Sequence, residues 1–262
     1  MPARPVGGIR HVRTMPYGEV GVLGVEYSTD VSNGWQPPDD GGDLRGLADE
    51  TTELGIAAED IFLNAATSLF YSDNIGALRA VMSAQKCKQM QASIHRRLLG
   101  TVMRGGLAPE DLRWSLELQR SAVEFLRMTE CARLIAQYGV SLAGSAEWEL
   151  QRAQTSIELL GTLVQQTRIE IRGSVVICTS RDRRRARQLL QEDKELERLF
   201  LIYSERLDQA IYYDPWNAVP LQQLLFIGAQ MREIGQHAMA ICDAVLFEPP
   251  QSTNWRSPGP YH

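Results

Sequence analysis

The sequence predicts an all-α protein: two tandem three-helix bundles of long helices, preceded by an irregular N-terminal arm. Three observations predict it. Apolar residues recur at spacings of three and four, as in Leu54, Ala58, Ile61, Phe62, Ala65 and Leu69, and no strand-period segment falls between residues 47 and 247. Glycine and proline fall in clusters that leave long segments between them. The order helix, corner, helix, break, helix then returns after about 105 residues, which suggests internal duplication.

Residues 1–46 hold nine glycines and five prolines and no amphipathic period. The run Gln36-Pro37-Pro38-Asp39-Asp40-Gly41-Gly42 reads as a linker, and the whole segment as a flexible arm. Residues 20–27 have the composition of a short strand, without a partner for it. The first helix is expected from Leu47 to the corner at Phe70-Tyr71-Ser72, where Ser72 or Asp73 can cap the second. The second helix should reach about Arg104, stop at Gly105-Gly106, and give way to a third opened by Pro109. The third is expected to run to about Tyr138, with Leu112, Leu116, Val123, Leu126 and Ile135 among its apolar positions, and to break over residues 139–145.

The second half repeats this plan. A helix covers about 146–179, Ser180-Arg181-Asp182 makes a corner, and a further helix runs to about Tyr213. Asp214-Pro215-Trp216-Asn217 is a stop and restart, with Asp214 or Asn217 as cap, and the last helix ends near Phe247 before Pro249-Pro250. The expected units are the arm 1–46, a bundle over 47–140, a bundle over 146–248 and an irregular tail 249–262. Helices of about 25–33 residues span roughly 40–50 Å at ~1.5 Å per residue. Such lengths suit bundles with short connections.

Composition narrows the function classes. The chain has 262 residues, 44% of them hydrophobic, enough for a substantial core. A net charge of −5 and a pI near 5.5 argue against a general nucleic-acid binder, which would show a basic face. Cys87, Cys131, Cys178 and Cys242 are widely spaced, with no CxxC pair, and read as reduced, buried thiols. No apolar run reaches the ~18 residues needed to cross a bilayer, and the start Met1-Pro2-Ala3-Arg4-Pro5 lacks the pattern of a signal peptide. A cytoplasmic protein is expected. Trp114, Trp148 and Trp216 read as packing residues near helix ends. No Ser-His-Asp, Cys-His or P-loop arrangement appears, so no catalytic residue is assigned.

The sharpest charge feature is the run Arg181-Asp182-Arg183-Arg184-Arg185-Ala186-Arg187. Cations at a helix start oppose the helix dipole, so local helix stability does not explain them. A phosphate group, an acidic partner or an anionic membrane surface is one reading. A solvated corner with Glu192 and Asp193 nearby is the other.

The segment Leu224-Leu225-Phe226-Ile227-Gly228-Ala229-Gln230-Met231-Arg232-Glu233-Ile234-Gly235-Gln236-His237-Ala238 closely resembles the signature of the PhoU family, LLFIARNLERIGDHA. Ala186 to Leu196 resembles the family's LARxLLxxDxxLD helix, and Pro109-Glu110-Asp111-Leu112-Arg113 resembles the start of its third helix. Glu124-Phe125-Leu126-Arg127-Met128-Thr129-Glu130 stands where the family has DLERIGD. The resemblance covers about residues 47–247.

The resemblance implies a negative regulator of phosphate uptake and of the phosphate-starvation response. It further implies partners in a phosphate ABC transporter and a sensor histidine kinase, a homodimer, and membrane association only through partners. It implies iron or zinc clusters held by paired carboxylates one helical turn apart, oxygen donors that suit such cations. This chain departs from that pattern. The two acidic positions are Arg232 and Gln236 in the second bundle, and Leu126 and Glu130 in the first; Gly235 is kept and its counterpart is Thr129. Glu124 and Glu130 remain as candidate ligands for one ion at most, against a reading as an ion-paired helix face. His237 reads as a packed or solvated side chain before a ligand. Two alternatives stay open: a diverged scaffold of this family serving another transporter or signalling system, and a metal-binding helical bundle.

Overall fold

The computed structural model describes residues 42–71, 73–143 and 154–247. The greater part of the expected arm, the strand reading at 20–27, Trp148, the expected start of the fourth helix and the tail from 249 lie outside them. Six α-helices occupy the described residues: α1 Gly42–Tyr71, α2 Asn74–Arg104, α3 Pro109–Ala143, α4 Gln154–Ser180, α5 Arg183–Tyr213 and α6 Ala218–Leu246. No strand occurs among them. A 3-10 turn, Pro215–Asn217, joins α5 to α6.

The corners form as their residues dictate. Asp73 accepts a hydrogen bond from the Ile75 amide at 3.1 Å and so caps α2. Asp182 does the same for α5, accepting from the Arg184 and Arg185 amides at 2.8 and 3.1 Å. Gly105 and Gly106 take positive φ, 73° and 80°, where a side chain would be strained. Arg181 is, among the described residues, the non-glycine residue held at positive φ, 53°, in the sharp link between α4 and α5.

Helices α1, α2 and α3 pack on one another as one three-helix bundle, and α4, α5 and α6 as a second; α3 lies against α6 and α1 against α4 to join them. All six helices belong to one compact unit. The core runs through both bundles, with Leu54, Phe62, Phe125, Met128 and Ile135 in the first and Leu163, Val175, Tyr203, Ile227 and Ile234 in the second. All four cysteines are free and buried. Burial pushes their thiols up, Cys87 and Cys178 to about 11 and Cys131 and Cys242 to about 12.

Several expectations are corrected. α1 begins at Gly42, five residues earlier than expected, and Leu44 is buried at 1% exposure. The Gly42–Gly46 stretch is helical because Leu44 and Leu47 fall three apart on the face that enters the core. α3 does not stop at Tyr138 but continues through Gly139 to Ala143. That glycine serves packing: a Cβ there would stand 2.6 Å from Leu69 Cδ2. On α3, Leu112 and Leu116 face outward, and the buried set is instead Asp111, Trp114, Ser115 and Leu118. Trp216 is 96% exposed and packs on nothing, because the 3-10 turn projects it from the α5–α6 corner.

The first turn of α1 generates a stability prediction. Leu44→Ala should lower unfolding free energy by about 2–5 kcal/mol, the usual range for a buried leucine. Denaturant unfolding should show a lower midpoint with an unchanged slope. A midpoint equal to that of the parent chain would mean that the first turn of α1 adds nothing to the core.

Candidate functional site

The signature segment of α6 faces two ways. Met231, Ile234, Gly235 and Ala238 enter the core, while Arg232 and Gln236, one turn apart, border a groove shared with α5. Asp193, Lys194, Leu196 and Glu197 line its other side, and its volume is about 300 Å³. The Arg232 Nε donates to Glu197 Oε2 at 2.5 Å, and its guanidinium lies 5.5 Å from the centre of the Phe200 ring. The two side chains are 36% and 42% exposed. A pair that open contributes only about 0–1 kcal/mol to stability. Its consequence is therefore occupancy: a permanent cation stands among carboxylates.

Beneath the groove lies Glu170 of α4, fully buried at 0% exposure. Gln166 donates to Oε1 at 3.2 Å, whereas Oε2 has no hydrogen-bond partner. Gly235 makes room for it: a Cβ at that position would stand 2.5 Å from Oε2 and 2.4 Å from Leu196 Cδ2. Burial pushes the Glu170 carboxyl up to about 8, with the charges of Asp193 and Glu192 acting in the same sense against the Gln166 hydrogen bond. That shift favours the protonated form of the acid. Asp193 is also raised, by burial first and then by Glu197, while Arg232 pulls it down. Reading only the signature misses these acids. No local pattern marks Glu170: of its neighbours Ile171 is buried and Ile169 is exposed.

In the first bundle an ion pair forms at Glu130, the counterpart of Gln236, and not at Leu126, the counterpart of Arg232. Glu130 of α3 meets Lys88 of α2 at 2.9 Å and Arg133 at 2.9 Å. Burial raises its pKa, but the hydrogen bonds and charges of Lys88 and Arg133 outweigh that and hold it below the ordinary value. Leu126, at the other signature position, packs partly buried against the core. Glu124 does not join Glu130. It faces α6, where its carboxylate lies 2.9 Å from His237 Nδ1 and 3.4 Å from Arg127. Burial is again outweighed, by the His237 hydrogen bond and the charges of Arg127, His237 and Arg120, so Glu124 also lies below its ordinary value. His237 is thereby a contact between the two bundles. Among the described residues, no three or more His, Cys, Asp or Glu side chains converge as metal ligands.

The arginine run divides. Arg181 turns inward, donating to Glu117 at 3.0 and 3.3 Å and lying 5.8 Å from the Trp114 ring. Arg183 donates to the Leu246 carbonyl at 2.9 Å and satisfies the end of α6. Arg184, Arg185 and Arg187 are exposed on the first turns of α5, with no ion pair among the described residues. Two of the five are accounted for by packing, and three remain at the surface.

No protein-family model matches the chain. Its sequence is similar to proteins named phosphate-specific transport system accessory protein PhoU homolog in three bacteria. The Rhizobium meliloti protein is 21% identical over 206 residues, 78% of this chain and 84% of that one. The Xylella fastidiosa protein is 26% identical over 175 residues, 67% and 70% of the two chains. The Caulobacter vibrioides protein is 24% identical over 209 residues, 79% and 88%. Among solved structures, PhoU from Pseudomonas aeruginosa has the same fold with a TM-score of 0.71 at 18% identity, covering 78% of this chain and 95% of that one. The phosphate transport system regulatory protein PhoU from Streptococcus pneumoniae gives 0.69 at 17% identity, with 78% and 93% covered.

Glu170 generates a pH prediction. Its folded pKa lies above the unfolded value of 4.5, so the folded state holds a proton that the unfolded state has released between those values. Stability contributed by this group is full below about 4.5 and is lost as pH rises to about 8. Glu170→Gln should leave stability near pH 4 little changed and raise it at pH 8.5 relative to the parent. Thermal unfolding across that range is the measurement; an equal difference between the two proteins at every pH would contradict the assignment.

Proposed function

We propose that this chain, a member of the PhoU family, is a non-catalytic accessory and regulatory protein of phosphate uptake and phosphate-starvation signalling. The observation that carries the reading is sequence similarity along 67–79% of the chain to proteins named as phosphate-transport accessories, on a shared bundle fold. Its work is docking: it binds a phosphate ABC transporter and a sensor histidine kinase from the cytoplasm, restrains the starvation response when phosphate is plentiful, and acts as a homodimer. No described helix is long and apolar enough to cross a membrane, so any membrane association runs through partners in this reading.

Two surface features support docking over chemistry. Arg184, Arg185 and Arg187 offer exposed charge at the α4–α5 corner, fit for an acidic partner surface or a phosphate group. At the α5–α6 corner Tyr212, Tyr213 and Trp216 are 79%, 82% and 96% exposed, aromatic residues of the kind that anchor interfaces. A second reading is favoured by Arg232 and Gln236, which depart from the family's acidic pattern: a diverged scaffold serving another transporter.

Deleting the gene should raise phosphate-starvation gene expression in phosphate-rich medium, and the intact chain supplied in trans should restore repression. Reporter activity in cells with no other family member measures this. Expression that stays at the repressed level after deletion would remove the phosphate reading and leave the diverged scaffold.

A further inference from the structure

We propose that the outward face of α2 is a docking surface for one kind of partner, an acidic amphipathic α-helix of another protein. α2 packs on α1 and α3 and on no other described helix, which leaves the third side of this 31-residue helix open. Along that side the residues follow a heptad. Ile75, Met82, Gln89, Arg96 and Met103 stand at its first position, and Leu78, Gln85, Ala92 and Leu99 at its fourth. All nine are exposed, and the large apolar ones are 48–84% exposed. Scattered apolar residues at a surface are ordinary, but two rows that keep one period form the seam that a second helix fills.

The fold does not require that seam. Asp73 and Asp182 cap α2 and α5 alike, so the two helices align from their caps. In that alignment Ala77, Cys87 and Ile94 match Ala186, Leu196 and Tyr203, and all are buried. On the outward face, Ile75, Leu78, Met82 and Leu99 match Arg184, Arg187, Gln191 and Asp208, which are exposed as well. The same place in the second bundle therefore carries polar and charged side chains, and the apolar rows of α2 serve something other than its own packing.

Charge selects the occupant. Between Asn74 and Arg104 there is no aspartate or glutamate, in a chain whose net charge is −5. Lys88 is answered by Glu130, and Arg97 by Glu50. Arg79, Lys86 and Arg96 are exposed and make no ion pair among the described residues. Arg79 and Lys86 flank the seam and Arg96 lies in it, the positions that decide partner and register in paired helices. An acidic helix matches both the rows and the charge. A second copy of α2 would set cations against cations. A bilayer surface would take a continuous apolar face, whereas Gln85, Gln89 and Arg96 interrupt this one. The proposal rests on the docking reading above and names the chemistry of the partner.

The test titrates the full chain into a fluorescent peptide of about four heptads, with leucine at the first and fourth positions and glutamate at the flanking ones, whose charges oppose self-pairing. Fluorescence anisotropy should show saturable binding, and the same peptide with lysine for glutamate should not bind. Leu78→Ser with Met82→Ser should weaken binding about tenfold or more. Arg79→Ser with Lys86→Ser should weaken it as well, whereas Arg184→Ser with Arg187→Ser on α5 should leave it unchanged. Circular dichroism should show parental helix content in each variant; if the first pair does not fold, the second decides. Equal binding by the parent and the α2 variants, or of the acidic and basic peptides, would overturn the proposal. So would a parent dimer in sedimentation that Leu78→Ser with Met82→Ser dissociates, which would seat a second copy on this face. Flotation of the parent with phosphatidylserine vesicles, lost in the same variant, would overturn it in favour of a bilayer. Gene deletion that derepresses without peptide binding would keep the phosphate reading and remove this face; binding without derepression would do the reverse.

Discussion

The two bundles meet across a seam of buried charge, and the rest of the molecule depends on how that charge is balanced. Glu59, Glu117 and Glu124 all belong to the first bundle, and their side chains are 4%, 8% and 7% exposed. Each is met by nitrogen from the second half. Arg168 and Arg172 of α4 reach Glu59 at 3.1 and 2.9 Å, Arg181 reaches Glu117 at 3.0 Å, and His237 of α6 reaches Glu124 at 2.9 Å. An ionised carboxylate left unpaired at such depth costs several kcal/mol. These partners answer that cost in one register of α1 against α4 and of α3 against α6, so the acids fix how the bundles sit together. Thr52 and Thr179 at 3.0 Å hold the same register near the other end of α1.

The same solution recurs inside each bundle, where acids meet resident nitrogen. Lys88 with Glu130 and Arg232 with Glu197 are more open pairs, and such pairs add little stability. Their effect is on what else can bind. Close helix approach at Gly235 brings α6 over Glu170, and the arginine beside it decides the charge of the groove. Fold and site are therefore separable here. A glycine and a row of apolar residues keep the helices in place, while two surface-facing positions on the same helix set the chemistry.

Much of the fold was legible in the sequence because it rests on local rules. Asp73 and Asp182 cap helices as their side chains allow, Pro109 opens α3 where its missing amide is not needed, and Gly105-Gly106 ends α2 with positive φ. What was not legible depends on partners distant in sequence. Gly41-Gly42 reads as linker, yet Leu44 finds a core that local composition does not reveal. Gly139 reads as a break, yet it lies within α3 because Leu69 needs the space. Five arginines within seven residues look alike until tertiary contacts assign Arg181 to Glu117 and Arg183 to the end of α6. Glu170 lies outside every motif, and its burial under α6 follows only from the packing of three helices.

The Arg232 guanidinium, and not a metal ion, is expected to neutralise Asp193 and Glu197 in the second bundle. Anomalous diffraction from crystals of the full chain soaked in manganese tests it most directly. No anomalous density is expected beside Asp193 and Glu197, with Arg232 still hydrogen-bonded to Glu197. An anomalous peak ligated by Asp193 and Glu197, with Arg232 turned out to solvent, would contradict it.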